Sequence, residues 1–170
     1  NSNLQTIESN AFSFSKIKNI YFPTSLKELE DEWCSFTKYL TKVTISPLNG
    51  QFIMKEDKYL IGKSDSNKDE FDNLIFACRD IKEISIPSNI KIISSFAFHY
   101  SNDLIKVEIP INSKLEIIES NAFSYTKIKE ILIPSTVSEI CISAFSDCSN
   151  LIKVEIPTNS NLQTIGKYAF

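Results

Sequence analysis

Glycine, histidine and surplus basic charge are what this chain has least of. Among its 170 residues are only three glycines, Gly50, Gly62 and Gly166, too few for a loop that cradles phosphates with backbone amides. The single histidine, His99, follows an Ala-Phe pair and has no serine or cysteine at a catalytic spacing, so it reads as an exposed turn residue. The formal net charge is -3, which argues against a nucleic-acid partner, whose binders show a basic face. No apolar run approaches the roughly 18 residues of a membrane helix, so no direct membrane insertion is expected of this segment. Neither an Asn-x-Ser/Thr sequon nor a signal-peptide pattern is present.

Cysteine is scarce in a second sense. Cys34, Cys78, Cys141 and Cys148 contain no Cys-x-x-Cys pair, and with one histidine they make a zinc site improbable. They read as buried free thiols or, for Cys141 and Cys148, as a disulfide. Asp65, Asn67 and Asp69 imitate the first ligands of a calcium loop. Glu70 takes the slot that needs glycine, and Phe76 stands where the bidentate glutamate belongs. A solvated loop is the better reading. No metal, cofactor or catalytic residue is expected.

What is present is repetition. The six prolines stand at Pro23, Pro47, Pro87, Pro110, Pro134 and Pro157, and each closes a short β-type run such as KVEIP or EILIP. Ala-Phe pairs recur at Ala11-Phe12, Ala97-Phe98, Ala122-Phe123, Ala144-Phe145 and Ala169-Phe170. Five residues before each Phe stands Ile7, Ile93, Ile118, Ile140 or Ile165. NSNLQTI opens the chain and returns at Asn159–Ile165. The resulting period of 23 to 24 residues falls in the leucine-rich-repeat range. The predicted fold is a leucine-rich-repeat solenoid of six to seven repeats over residues 1–170, with both ends cut in mid-array. Each repeat supplies one parallel strand, and a short second strand, turn or short helix lies on the other face. Trp33-Cys34 replaces Ala-Phe in a degenerate repeat. Residues 48–80 are an insertion: a hairpin from Phe52–Met54 and Tyr59–Ile61, a polar loop, and Leu74–Ala77 rejoining the array.

Strand alternation predicts which side chains meet water. One column reads Asn19, Lys42, Glu83, Lys106, Glu130, Lys153. Its alternating signs fit a self-satisfied cross-strand charge ladder or, alternatively, a ligand-binding stripe. The next column, Tyr21, Thr44, Ser85, Glu108, Leu132 and Glu155, is mixed, and with Lys58 and Tyr59 at the hairpin tip it forms the candidate interface.

The Ala-Phe pair, the preceding Ile and the Ile-Pro strand end resemble the BspA-like leucine-rich repeats of surface proteins in mucosal bacteria and protozoan parasites. The insert QFIMKEDKYLIGKSDSNKDEFDNLIFACRDIKEISIPSNIK is similar to that of the protozoan members. The resemblance implies a surface-displayed or secreted, non-catalytic adhesion module that binds a protein or glycoconjugate through the strand face or the insert. An intracellular repeat scaffold docking a partner subunit is the alternative. The bare repeats at both ends predict exposed apolar surfaces and end-to-end self-association.

Overall fold

The computed structural model describes residues 2–170. It is a parallel β-solenoid with short strands on two faces and no helix among the described residues. The longer strands form one face: β2 (Asn19–Phe22) pairs with β4 (Lys42–Ile45), β8 (Glu83–Ser85) with β10 (Lys106–Glu108), and β12 (Glu130–Leu132) with β14 (Lys153–Glu155), all parallel. Each is short because the Pro that follows cannot donate to the ladder. In β8, β10 and β12 a buried Ile or Val sits between two exposed residues, as the alternation predicts.

The second face carries two-residue strands, apart from those of the insertion, which run four to five residues. β1 (Thr6–Ile7) pairs with β3 (Glu28–Leu29). A seven-stranded sheet runs in the order β15 (Thr164–Ile165), β13 (Glu139–Ile140), β11 (Ile117–Ile118), β9 (Ile92–Ile93), β7 (Asn73–Ala77), β6 (Tyr59–Gly62), β5 (Phe52–Lys55). The insertion is therefore part of this sheet. β5 and β6 form the predicted antiparallel hairpin, and β7 returns to the array by pairing in parallel with β9.

The Ala-Phe corners are turns rather than helices, for a backbone reason. In each corner the residue before Ala and the residue two after Phe are left-handed: Asn121 at φ 56° and Tyr125 at φ 60°, with Asn10/Phe14, Glu32/Phe36, Phe96/Tyr100 and Ser143/Asp147 alike. Alternating left-handed residues forbid a continuous helix. They also turn successive amides in opposite directions. Ala122 N donates to Glu119 O within its own turn (3.2 Å), and Phe123 N donates to Ala144 O of the next turn (2.7 Å). The corners holding Phe12, Phe98, Phe123 and Phe145 are each stitched in this way to the turn that follows.

Inside, the corner phenylalanines stack along the solenoid. Phe98–Phe123 ring centroids lie 4.7 Å apart, Phe123–Phe145 5.0 Å and Phe145–Phe170 5.2 Å, all nearly parallel. Trp33 and Cys34 are buried in the degenerate repeat, as their register predicts. Trp33 packs 6.2 Å from Phe12 on one side and 5.6 Å from Phe76 of the insertion on the other. Phe76 thus fills the column where the insertion lacks an Ala-Phe corner. Arg79 closes the junction. It is buried without a carboxylate, lies 4.5 Å over the Phe76 ring, and donates to Ala97 O (2.8 Å), Ala77 O (3.3 Å) and Phe96 O (3.4 Å).

Three expectations need correction or sharpening. His99 is not an exposed turn residue: it is 2% accessible, enclosed by the rings of Phe36, Phe96, Tyr100 and Tyr125. Phe36 is the enclosing residue that sequence neighbours could not announce, since the insertion separates it from His99. Tyr59 is not at an open hairpin tip either. It is 5% accessible, because β6 is covered on both sides while pairing with β5 and β7. All four cysteines are free thiols, so the disulfide alternative falls.

Candidate functional site

The long-strand face holds a groove of about 810 Å³, built from turns C-terminal to the insertion. Each crossing strand presents three outward positions. The first is the residue just before the strand in two turns, Ile105 and Lys129. The second is the charge column, Glu83, Lys106, Glu130 and Lys153. The third is Ser85, Glu108, Leu132 and Glu155. Val107 and Ile131 form the floor, and Pro110 borders the C-terminal edge.

The candidate residues thus divide. Ser85, Glu108, Leu132 and Glu155 line the groove together. Tyr21 and Thr44 face one another in register on the β2–β4 pair, outside it. Tyr21 is 62% exposed, so it stands free as an isolated aromatic on that pair. Lys58 is exposed at the hairpin turn, 3.4 Å from Glu56, and Tyr59 is buried behind it. Ile105 and Lys129 were missed by the alternation argument, which starts one residue later. Their signal was the residue following each Leu or Ile at the strand entry, free to point outward before pairing begins.

The charge column is in register as expected: Lys106 lies opposite Glu83, and Lys153 opposite Glu130. The nearest contacts nevertheless run along the strands. Lys106 Nζ lies 2.6 Å from Glu108 Oε1, and Lys153 pairs with Glu155 in the same way. Residues i and i+2 share a face of one strand, and the lysine stem is long enough to fold over the intervening residue. Glu108 holds the Lys106 ammonium above the ordinary lysine range, with Glu83 and Glu130 adding to the effect. Glu155 and Glu130 do the same for Lys153.

No thiol or imidazole lines the groove. The four thiols sit elsewhere, and burial pushes Cys34, Cys78 and Cys141 each up to about 11, away from the reactive thiolate. Burial and the nearby Arg79 push His99 down to about 3, so its ring is neutral. The calcium-like loop is held by lysines. Asp65 pairs with Lys68 at 3.5 Å, Asp69 with Lys63 at 3.2 Å, and Lys91 bridges Glu70 at 2.8 Å and Asp72 at 2.9 Å. No group of metal ligands gathers among the described residues, and no helix there is long and apolar enough to cross a membrane. The groove offers an aliphatic floor, carboxylates, ammoniums and the Ser85 hydroxyl.

Parallel strands repeated at this period, with stacked corner phenylalanines, define a leucine-rich-repeat solenoid with an open strand face. The chain belongs to the BspA type leucine rich repeat region family, which matches residues 1–55 and 69–170 in six copies. Among solved structures it is similar to the pneumococcal vaccine antigen PcpA (19% identity, TM-score 0.71, 93% of this chain and 44% of that one). A leucine-rich repeat protein from Eubacterium ventriosum is similar over 98% of this chain and 61% of that one, at 19% identity and TM-score 0.68. A leucine rich cell surface protein from Faecalibacterium prausnitzii is similar over 89% and 51%, at 21% identity and TM-score 0.59. The chain spans about half the length of these relatives. No curated protein matches it.

Proposed function

We propose that residues 1–170 are one solenoid segment of a cell-surface or secreted protein, and that the segment is a non-catalytic protein-binding module working through the long-strand face. The observation that carries this reading is the groove of about 810 Å³ lined by Glu108, Leu132 and Glu155, with Leu132 left 43% exposed at its centre. The groove is concave, and exposed Ile105 and Leu132 lie in it among charged side chains, a mix that supports protein binding. Family membership and the surface-associated relatives support the compartment and the adhesive role.

The test is a binding screen of the segment against host matrix proteins and cell surfaces, with two variants alongside. Leu132→Lys blocks the groove, and Lys58→Glu alters the hairpin turn. Loss of binding with the first and retention with the second is the expected result. Binding indifferent to Leu132→Lys would overturn the strand-face assignment.

A further inference from the structure

One junction between neighbouring turns is built unlike the rest. The first turn runs from β1 through the Phe12 corner to β2, and the second from β3 through Trp33-Cys34 to β4. The third carries β7 and β8, and the fourth runs from β9 through the Phe98 corner to β10. The first two share the β1–β3 and β2–β4 ladders and two corner bonds, Phe12 N to Trp33 O (2.9 Å) and Phe14 N to Ser35 O (3.2 Å). The third and fourth share β7–β9 and β8–β10. Each later junction has a ladder in the seven-stranded sheet and corner bonds such as Phe98 N to Ala122 O (2.7 Å). Between residues 2–49 and the chain from Phe52 onward no ladder forms. Among the described residues one main-chain bond crosses, from Arg79 N to Leu40 O (3.1 Å).

The cause is a missing corner. Leu74 is in register with Ile93, and Cys78 and Ser101 hold equivalent places, since each carbonyl accepts the amide three residues on, at Ile81 and Leu104. Seven residues separate Ile93 from Ser101 and three separate Leu74 from Cys78, so the third turn lacks four residues and with them the corner. The corners of the second and fourth turns therefore meet directly, Phe36 against His99 at 4.8 Å. Ala77 N supplies one donor to the fourth turn's corner, at Ala97 O (2.9 Å). The Arg79 guanidinium supplies the others: Nη1 donates to Ala97 O at 2.8 Å and Nη2 to Phe96 O at 3.4 Å. Nη2 also reaches Cys34 Sγ of the second turn at 3.7 Å, so one side chain grips both turns.

We infer that this junction is a hinge: residues 2–49 are a two-turn block that undocks as a unit from the block beginning at β5, with Arg79 as the latch. In a solenoid, stability is shared between the turns and their nearest-neighbour interfaces, and the least bonded interface opens first. Hairpin β5–β6 stays with the second block because it pairs with β7. Asn49 sets the pivot. Its Nδ2 donates to Leu26 O at 2.9 Å and Pro23 O at 3.0 Å, and its Oδ1 accepts from Gln51 N and Phe52 N, beyond the exposed Gly50. What else parts on opening is side chain on side chain: Trp33 from Phe76, Phe36 from His99 and Tyr100, and Lys38 from the Tyr100 ring.

Native-state hydrogen exchange of the 170-residue chain, read by mass spectrometry, tests the hinge. Bonded amides of residues 2–49 are expected to exchange as one group, about tenfold or more faster than the corner amides of Phe123 and Phe145. In urea, the emission of Trp33, the chain's single tryptophan, is expected to shift to the red before the far-UV β-sheet signal is lost. Uniform exchange with coincident transitions overturns the hinge. So does a gradient in which β1 and β2 exchange faster than β3 and β4, which is fraying from the end. Arg79→Met keeps the apolar stem and removes the donors; it is expected to speed exchange in residues 2–49 about tenfold and to leave Phe123 and Phe145 unchanged. Arg79→Lys keeps the charge without the fork, and a smaller acceleration of the same block is expected. Equal acceleration on both sides of the junction, or none on either, overturns the latch. Should Arg79→Met not fold, Arg79→Lys decides the latch, and the wild-type exchange and emission decide the hinge.

Discussion

Lowering the pH from 7 to 5 should destabilise this protein through one residue. His99 is buried, and its Nδ1 lies 2.6 Å from Ser124 Oγ. Ser124 in turn donates to Asn121 O at 3.2 Å, so the imidazole Nδ1–H is the donor to Ser124 and Nε2 is left without a partner. A second proton would have to sit on Nε2, inside an aromatic cage and near the buried Arg79 guanidinium. Burial first, and Arg79 second, hold the folded pKa at about 3, against an unfolded value of 6.5. Because the folded pKa is depressed, the unfolded chain binds more protons below about pH 6.5, and stability falls with pH through that window. At about 1.4 kcal/mol per unit, the loss between pH 7 and pH 5 is about 2 kcal/mol. Urea titrations at both pH values measure it, with His99→Gln as the reference lacking the group. Carboxylates contribute equally to both proteins, so the difference between the two pH profiles isolates His99. Parallel profiles would refute the reasoning, as would a wild type more stable at pH 5.

Phe123→Ala should lower stability by about 3–5 kcal/mol in thermal or urea melts, because its ring is sandwiched at 4.7 and 5.0 Å between Phe98 and Phe145; an unchanged midpoint would place the ring outside the core. Glu130→Lys would put a lysine between Lys106 and Lys153 and should depress the melting midpoint at low salt, with the gap to wild type closing at high salt; a salt-independent gap would show that the column's charges do not communicate. In native alkylation at mildly alkaline pH, followed by peptide mass mapping, Cys141 should be labelled before the three fully buried cysteines, and slowly, since its pKa is raised to about 11; earlier labelling of Cys34 would contradict the packing.

The parts of the fold legible in the sequence are those with a local cause. Ile-Pro ends mark the long strands because proline stops a ladder, and the Ala-Phe pairs mark corners because one small and one large residue must alternate there. The insertion's hairpin was legible from Phe52–Met54 and Tyr59–Ile61 for the same reason. Burial of His99 and Tyr59 was not, because what covers them comes from distant segments: Phe36 for the first, β7 for the second. The left-handed corners were half legible. Asn10 and Asn121 tolerate positive φ, but Phe14, Phe36, Tyr100 and Tyr125 do not favour it, costing roughly 1–2 kcal/mol each. Stacking between turns opposes that cost. Phe14–Phe36 and Tyr100–Tyr125 each lie 4.4 Å apart and nearly parallel, a pairing worth about 0.5–1.5 kcal/mol beyond area burial. In the candidate site, the columns were legible from alternation, but the groove's extent was not.

That extent follows from the insertion. Aromatic contacts carry the solenoid across it, Phe36–His99 among them. In the core Trp33 meets Phe76, and on the corner ridge Phe36 meets Tyr100 at 5.6 Å. On the second face β7 continues the sheet into β9. On the long-strand face β4 and β8 are not hydrogen-bonded neighbours, and neither are β10 and β12. The insertion therefore keeps the core continuous while both strand faces break at it: β1–β3 on the second face and β2–β4 on the first are pairs separate from the strands beyond. It separates Tyr21 and Thr44 from the row of Ser85, Glu108, Leu132 and Glu155. Beyond it the face is made of two pairs, β8–β10 and β12–β14, whose exposed residues together line the groove.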